Sequence, residues 1–377
     1  MGAQVPDLFE DDKRTEQFFC PEWIQISPPC ASDPARWGAT NLLRSRDYFL
    51  SREAACILFF FVERSSVAHA VESLSEKLSC SQDLISIIIE TLCACDLLID
   101  SCKIDTRREA LLRDRPHWIR CGWLSSWSYL FSCYDYAFVD ASVEGRRDDA
   151  DRMKGYAKQA ADNFRAKSYP ACESFSISPS KNFDACNIAV EEKLGFSQNL
   201  IDAIYLTFCK IGEIKVPWSD IPMFRRTSPS GGARHPSEAY IIKFSHGGQD
   251  QAIYHLNAIM PSLELLISSK NHEPDLRIIF RSAMERCGFI PDGAIVLTTI
   301  FEKNIYRYRE SRTYRSVHMD IGHLISTFSH VANSRRMAIF PYYTFDFSGF
   351  SKIIALDPFS EGSQACILYQ EAIDERE

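Results

Sequence analysis

The chain has no surplus of positive charge: 42 lysines and arginines stand against 50 aspartates and glutamates, a formal net charge of -8 over 377 residues. That balance argues against a nucleic acid or a membrane surface held by bulk electrostatics, so any anion site must be local. No apolar run is long enough to cross a bilayer; the most apolar stretch, Ala54 to Val62, reads as a core strand or a buried helix turn. A basic start followed by an apolar segment and a small-residue cleavage site is also missing. Met1 to Glu22 is acidic and polar instead, which predicts a cytoplasmic protein. The 14 cysteines form no CxxC doublet and show no zinc-type histidine spacing. They read as small buried hydrophobes in a reducing compartment, and no metal site is expected. Neither of the two glycine-rich nucleotide fingerprints, GxxxxGK[ST] and GxGxxG, occurs at the one glycine-rich loop.

What is present is ample core material. A hydrophobic content of 46% in a chain of this length predicts two or three structural units. Residues 1-47 carry Pro6, Pro21, Pro28, Pro29 and Pro34 and are expected to be irregular or to hold short strands. Over 48-115, one helical face carries Val67, Val71, Leu74 and Leu78 and a second carries Leu84, Ile88, Leu92 and Cys95, followed by the apolar run LLID. Short helices closed by a strand predict a small winged-helix-like module; its acidic helices disfavour DNA and favour a structural or peptide-binding role.

Residues 116-180 combine an aromatic segment, Trp118 to Asp140, with a charged stretch, Glu144 to Phe164. The aromatic residues favour packing or a subunit interface over a substrate groove; the charged stretch reads as a solvated helix or a mobile linker. The domain boundary is placed there. From 181 to 377 the pattern is mixed. Ser197 caps a helix that Gly212 stops, and EAYIIKF, AIYHL and AIVLTTIF read as strands. The region from Ser262 to Gly288 is expected to hold two helices, and a long helix runs from about Tyr314 to Met337. This is an α+β domain.

Its centre is Arg225 to Phe244, RRTSPSGGARHPSEAYIIKF. Gly231 and Gly232 allow positive φ and close backbone approach, Ser228 and Ser230 add hydroxyls around Pro229, and Arg225, Arg226 and Arg234 supply positive charge. Two readings are open on these residues: a loop that holds a phosphorylated cofactor, and an ordinary glycine turn with a solvated basic edge.

SPSGGARHPSEAY, AIVLTTIF and KNIYRYRESRTYRSVHMDIGHLISTF, in this order, resemble the SagB-type dehydrogenases of the nitroreductase superfamily, and within them the peptide maturation dehydrogenases. The resemblance implies a nitroreductase-like FMN domain, an antiparallel-rich sheet flanked by helices, and a homodimer. It implies oxidation of azoline rings to azoles, or a related dehydrogenation, in a ribosomally made peptide, with a cyclodehydratase or another subunit of a modification complex as partner. On matching positions, Ser228, Ser230, Gly231, Gly232 and Arg234 would line the flavin, and Arg315 would sit near its phosphate or the dimer seam. Asp320 and His323, on the long helix, read as hydrogen-bonded structural groups.

Known members of the group carry an adjacent Lys-Tyr pair where this chain has Arg307 and Tyr308. Arginine keeps its proton near neutral pH, so Tyr308 would carry the proton transfer, with Arg307 assisting by charge proximity; the alternative is a solvated basic run. The chain also departs from the group, because the arginine-rich motif expected upstream is absent and Lys181 is the only base there. Arg225, Arg226 or the cluster from Arg307 to Arg315, with Arg312 and Arg315, would then replace the phosphate grip. The competing expectation is a flavin-free, non-catalytic homologue that binds a peptide or serves as a partner subunit.

Overall fold

The computed structural model describes residues 16–30, 33–44, 46–103, 106–133, 142–159, 167–180, 193–216, 219–245, 250–269 and 275–371. The chain divides into two compact units, Met1–Phe138 and Val139–Glu377. Lys181 and Tyr134 to Asp140 lie outside the described residues.

In the first unit, strand β1 (Phe18–Phe19) precedes a three-stranded antiparallel meander of β2 (Ile24–Ser27), β3 (Trp37–Asn41) and β4 (Arg46–Leu50). These are the short strands expected among the N-terminal prolines. Helices α1 (Arg52–Phe60), α2 (Val67–Leu78) and α3 (Gln82–Ala94) each start at a serine, Ser51, Ser66 or Ser81, whose hydroxyl accepts from the backbone N–H three residues on. Such a cap satisfies one otherwise orphaned donor and fixes the phase of the helix. In α3 that phase buries Ile85, Ile89 and Leu92 and leaves Leu84 exposed, one residue away from the expected stripe.

Strand β5 (Ile99–Asp100) pairs with β1, and helices α4 (Thr106–Arg120) and α5 (Leu124–Ser132) follow. Trp127 and Phe131 join Trp23, Ile57, Leu58 and Phe61 in this unit's core, so these two members of the aromatic segment pack inward.

The second unit opens with α6 (Val143–Gln159), so the charged stretch expected as a solvated helix or linker is helical there. Its main feature is a seven-stranded sheet built from β6 (Ser174–Ser176) and, after helix α7 (Gln198–Phe208) and the hairpin β7 (Gly212–Val216) with β8 (Ser219–Arg225), from β9 (Ser237–Lys243), β10 (Gln251–Asn257) and β11 (Ser262–Ser269). Helix α8 (Arg281–Met284), β12 (Gly293–Ile300), helices α9 (Glu302–Ile305) and α10 (Thr313–Ser334), β13 (Ala338–Tyr342), α11 (Phe347–Ile353) and β14 (Glu361–Gln370) complete it. The strand order is β13-β14-β12-β9-β10-β11-β6, every neighbouring pair antiparallel.

The region from Ser262 to Gly288, expected as two helices, is instead strand β11 followed by a 3-10 turn and the single turn α8. SLELLISS pairs along its whole length with β10, and that ladder overrides the local helical spacing of its leucines. The C-terminal run also becomes a strand, β14, inserted between β12 and β13.

Both faces of the sheet are covered. Ile241, Ile295, Leu297 and Ile367 face Ile204, Phe208, Ile321 and Phe328 of α7 and α10, while Ile242, Val296 and Leu368 pack with Phe280 and Phe350. Burial on both sides explains why AIVLTTIF reads as a continuous apolar run. It also leaves the ends of β9 and β12, and the loops that enter and leave them, as the natural place for polar chemistry.

Candidate functional site

The loop from Arg226 to Pro236 joins β8 to β9 and contains a short 3-10 turn, Gly231–Ala233. Its backbone is unusual: Gly232, Ala233 and His235 have φ of 60°, 51° and 47°. An alanine and a histidine in the left-handed region store about 1–2 kcal/mol each. The two glycines serve close approaches. A Cβ on Gly231 would come within 3.1 Å of the Ser316 Cβ on α10, and one on Gly232 would collide with the Tyr308 hydroxyl.

The loop is docked on α10 by Asp320. Its carboxylate accepts from the Ser230 hydroxyl at 2.6 Å and from the Gly231 N–H at 3.0 Å, while the Ser230 oxygen accepts from the His235 N–H at 2.9 Å. Burial raises the Asp320 carboxyl above its ordinary value, opposed by these two hydrogen bonds. His235 stacks on Phe224 at 4.9 Å, and Arg226 lies over the same ring at 5.1 Å. Burial first, then the charges of Arg226 and Lys303, push His235 down to about 3, so it is neutral near pH 7.

Other expected site residues distribute around this loop. Arg226 is buried and donates to the Ser237 carbonyl at 3.0 Å; the hydroxyl of buried Ser228 and the Nε of Arg226 have no hydrogen-bond partner among the described residues. Arg234 bonds to the Tyr306 hydroxyl. Arg225, the last residue of β8, and Pro229 are exposed. Arg307 forms an ion pair at 2.7 Å with Asp149 of α6, and its guanidinium stands 5.0 Å from the Tyr308 ring. Arg309 lies over Tyr156 of the same helix at 4.2 Å. Arg312 faces Glu310 at 3.5 Å, and Arg315 is exposed on the first turn of α10. The structure therefore gathers the glycines, Ser230, Arg234, Asp320 and Tyr308 around one loop, while Arg225 and Arg315 stay at the surface. His323, expected to be hydrogen-bonded, has a buried Nδ1 without a partner among the described residues.

Next to the loop, on the sheet face away from α10, lies a buried polar cluster that sequence reasoning passed over. Lys303 of α9 donates to Glu238 at 2.6 Å; His255 sits between Glu238 at 3.3 Å and Glu264 at 2.8 Å. Beside it, Glu361 accepts from Lys167 at 2.6 Å, Tyr240 at 2.8 Å and Thr298 at 2.6 Å. Burial alone would raise Glu238, but Lys303 and then His255 outweigh it and hold that carboxyl at about 2. The available signal was polar residues recurring at period two inside the strands: Glu238 and Tyr240 in SEAY, and His255 with Asn257 in AIYHLN. Among the described residues no cluster of three or more His, Cys, Asp or Glu fits a metal ion, and no helix is long and apolar enough to cross a membrane.

No protein-family model matches the chain. In sequence it is 25% identical over 328 residues to the trifolitoxin-processing protein TfxB of Rhizobium leguminosarum bv. trifolii, covering 82% of this chain and 84% of that protein. It is 31% identical over 154 residues to the microcin B17-processing protein McbC of Escherichia coli, covering 39% of this chain and 53% of that protein. Among solved structures it is similar to a nitroreductase from Anabaena variabilis ATCC 29413, at 17% identity and a TM-score of 0.43 over 60% of this chain and 47% of that one. It is also similar to a chain of the E. coli microcin synthetase McbBCD complex with truncated pro-MccB17 bound, at 21% identity and a TM-score of 0.36 over 64% of this chain and 86% of that one. By sequence the chain is a relative of toxin- and microcin-processing proteins, as the resemblance of its motifs to the SagB-type, nitroreductase-superfamily group implies.

Proposed function

We propose that the chain is an FMN-dependent dehydrogenase acting on a ribosomally made peptide, with azoline oxidation as its reaction class. The observation that carries this reading is the arrangement around Gly232: a loop docked by Asp320, two glycines that let other groups approach closely, and a phenol hydroxyl held directly over the second glycine.

The donors present fit an anionic, hydrogen-bonding cofactor. Among the described residues Ser228 keeps a buried hydroxyl without a partner and Arg226 a buried Nε, and Arg234 brings a second cationic side chain to the same loop. Bound FMN would supply the two-electron acceptor that no side chain of the protein provides. Ser228, Gly231, Gly232, Arg226 and Arg234 are proposed to hold it. Arg225, Pro229, Arg312 and Arg315 form the outer rim, and Ser230 shapes the loop through Asp320. Tyr308 is proposed to move the substrate proton at its phenol oxygen. Arg307 places a cation beside that ring but shares its charge with Asp149, which weakens its pull on the phenol. A homodimer and a cyclodehydratase partner belong to the same reading.

One pair of observations favours the second reading, a flavin-free partner subunit. The Ser230 hydroxyl and the Arg307 guanidinium are both engaged within the chain, and the upstream arginine motif is missing. Purified protein separates the two. The enzyme reading requires an absorbance band at about 450 nm that survives desalting, or released FMN on denaturation. Colourless protein whose melting temperature ignores added FMN rejects it, because a ligand far above its dissociation constant must stabilise the native state.

A further inference from the structure

Helix α6 is charged along most of its length, yet one stripe of it is covered. Gly145, Asp149, Ala150 and Tyr156 are half-buried and Met153 is buried, while its other described side chains are exposed. Steps of three and four residues mark a single helical face. A helix without a partner would be exposed all round, so this face is docked.

Its printed contacts lie on the turn that carries Tyr308. Asp149 pairs with Arg307 at 2.7 Å, and the Arg309 guanidinium lies over the Tyr156 ring at 4.2 Å. Asp149 and Tyr156 stand about 10 Å apart along the helix axis. Arg307 and Arg309 can be no more than about 7 Å apart, a difference that their long side chains span. The residue between them goes the other way. Tyr308 stands over Gly232, and buried Tyr306 is bonded to Arg234 of the same loop. The turn is therefore held from two directions, its arginines by α6 and its tyrosines by the glycine loop.

Arg307 links the two. Its guanidinium meets the Asp149 carboxylate and stands 5.0 Å from the Tyr308 ring. Its charge is already matched, and Arg152 adds a second cation at 3.8 Å from the other Asp149 oxygen. The Arg307 and Asp149 side chains keep 20% and 27% of their exposure, so the pair is sheltered from screening but either partner can be removed without stranding a fully buried charge.

We propose that α6 is a clamp on the 306–309 turn and that Arg307 is its anchor: Asp149 and Tyr156 hold Arg307 and Arg309 on the helix side and so keep Tyr308 over Gly232. Asp149, Tyr156, Arg307 and Arg309 are positioning residues, and Arg307 acts through where it places the phenol, not through its charge. The bearing of this on proton transfer rests on the proposed role of Tyr308.

The test is a charge swap on the full chain, read without flavin or substrate. In deuterated protein with protonated glycine and tyrosine, the parent should show a nuclear Overhauser contact between the Gly232 protons and the Tyr308 ring, identified by its disappearance in Tyr308→Phe. Asp149→Arg and Arg307→Asp, each alone, should abolish that contact and speed amide exchange over 143–159 by about tenfold. The double variant rebuilds the ion pair with its polarity reversed, and both readouts should return towards the parent even though the charge beside the phenol has changed sign. A contact that survives either single reversal overturns the positioning step, and a double variant that stays displaced overturns the ion pair as its basis. Tyr156→Leu should also speed exchange in α6; unchanged exchange removes that residue from the clamp. Failure of the enzyme reading would show as absent flavin and would leave these results standing.

Discussion

The Tyr308 hydroxyl occupies the space that a side chain on Gly232 would fill. Gly232 also has φ of 60°, so alanine there meets two obstacles, an unfavourable backbone and an occupied volume. Gly232→Ala is expected to lower stability by about 1–2 kcal/mol for the backbone and by more for the collision. In a Tyr308→Phe background the second part should shrink, giving a coupling of about 0.5 kcal/mol or more in a double-mutant cycle by urea unfolding. Additive losses would mean that the two residues do not touch in solution.

Asp320 holds the loop through two hydrogen bonds to a charged acceptor. Asp320→Asn removes the charge and keeps one carbonyl-type acceptor: with that oxygen on the Gly231 N–H, the amide nitrogen faces the Ser230 hydroxyl, whose bond must reverse and whose proton loses its acceptor. We expect about 1.5–3 kcal/mol of destabilisation and weaker FMN binding, measured by denaturant unfolding and fluorescence titration. An unchanged FMN affinity would separate the loop from the cofactor.

His235 gives the protein a pH dependence with a defined sign. Its folded value of about 3 lies below the ordinary 6.5, so between these values the unfolded chain binds a proton that the native chain refuses. Stability should therefore fall as pH drops below 6.5, by up to ~1.4 kcal/mol per unit. Glu238, held at about 2 against an ordinary 4.5, adds a loss of the same sign only below 4.5. Urea midpoints between these two ordinary values, compared with His235→Phe, isolate the histidine; the variant should show the shallower slope.

On the proposed flavin-enzyme reading, Tyr308→Phe should keep FMN affinity and lose peptide oxidation, since the phenol oxygen is the only group removed. Turnover that survives the substitution would take Tyr308 out of the mechanism, and lost flavin would reassign it to cofactor binding.

Much of this architecture is legible along the chain. Serines at 51, 66, 81 and 197 cap helices because a hydroxyl followed by an apolar-periodic run satisfies local donors, a purely short-range rule. AIVLTTIF declares a doubly buried strand, and the paired glycines announce a backbone that must be approached closely. The assignment of SLELLISS failed because its spacing suits either element and only the ladder with β10 decides between them.

The sequence by itself determined the serine-capped helix starts, the apolar strands and the position of the glycine loop, all of which depend on neighbours a few residues away. Tertiary structure alone decided that Asp320 receives Ser230 across 90 residues, that Arg307 meets Asp149 across 158, and that Lys303, Glu238, His255 and Glu264 form one buried set. These contacts are made between separate strands and helices, and the strength of the buried set comes from joint exclusion from water, which no single segment of the chain encodes.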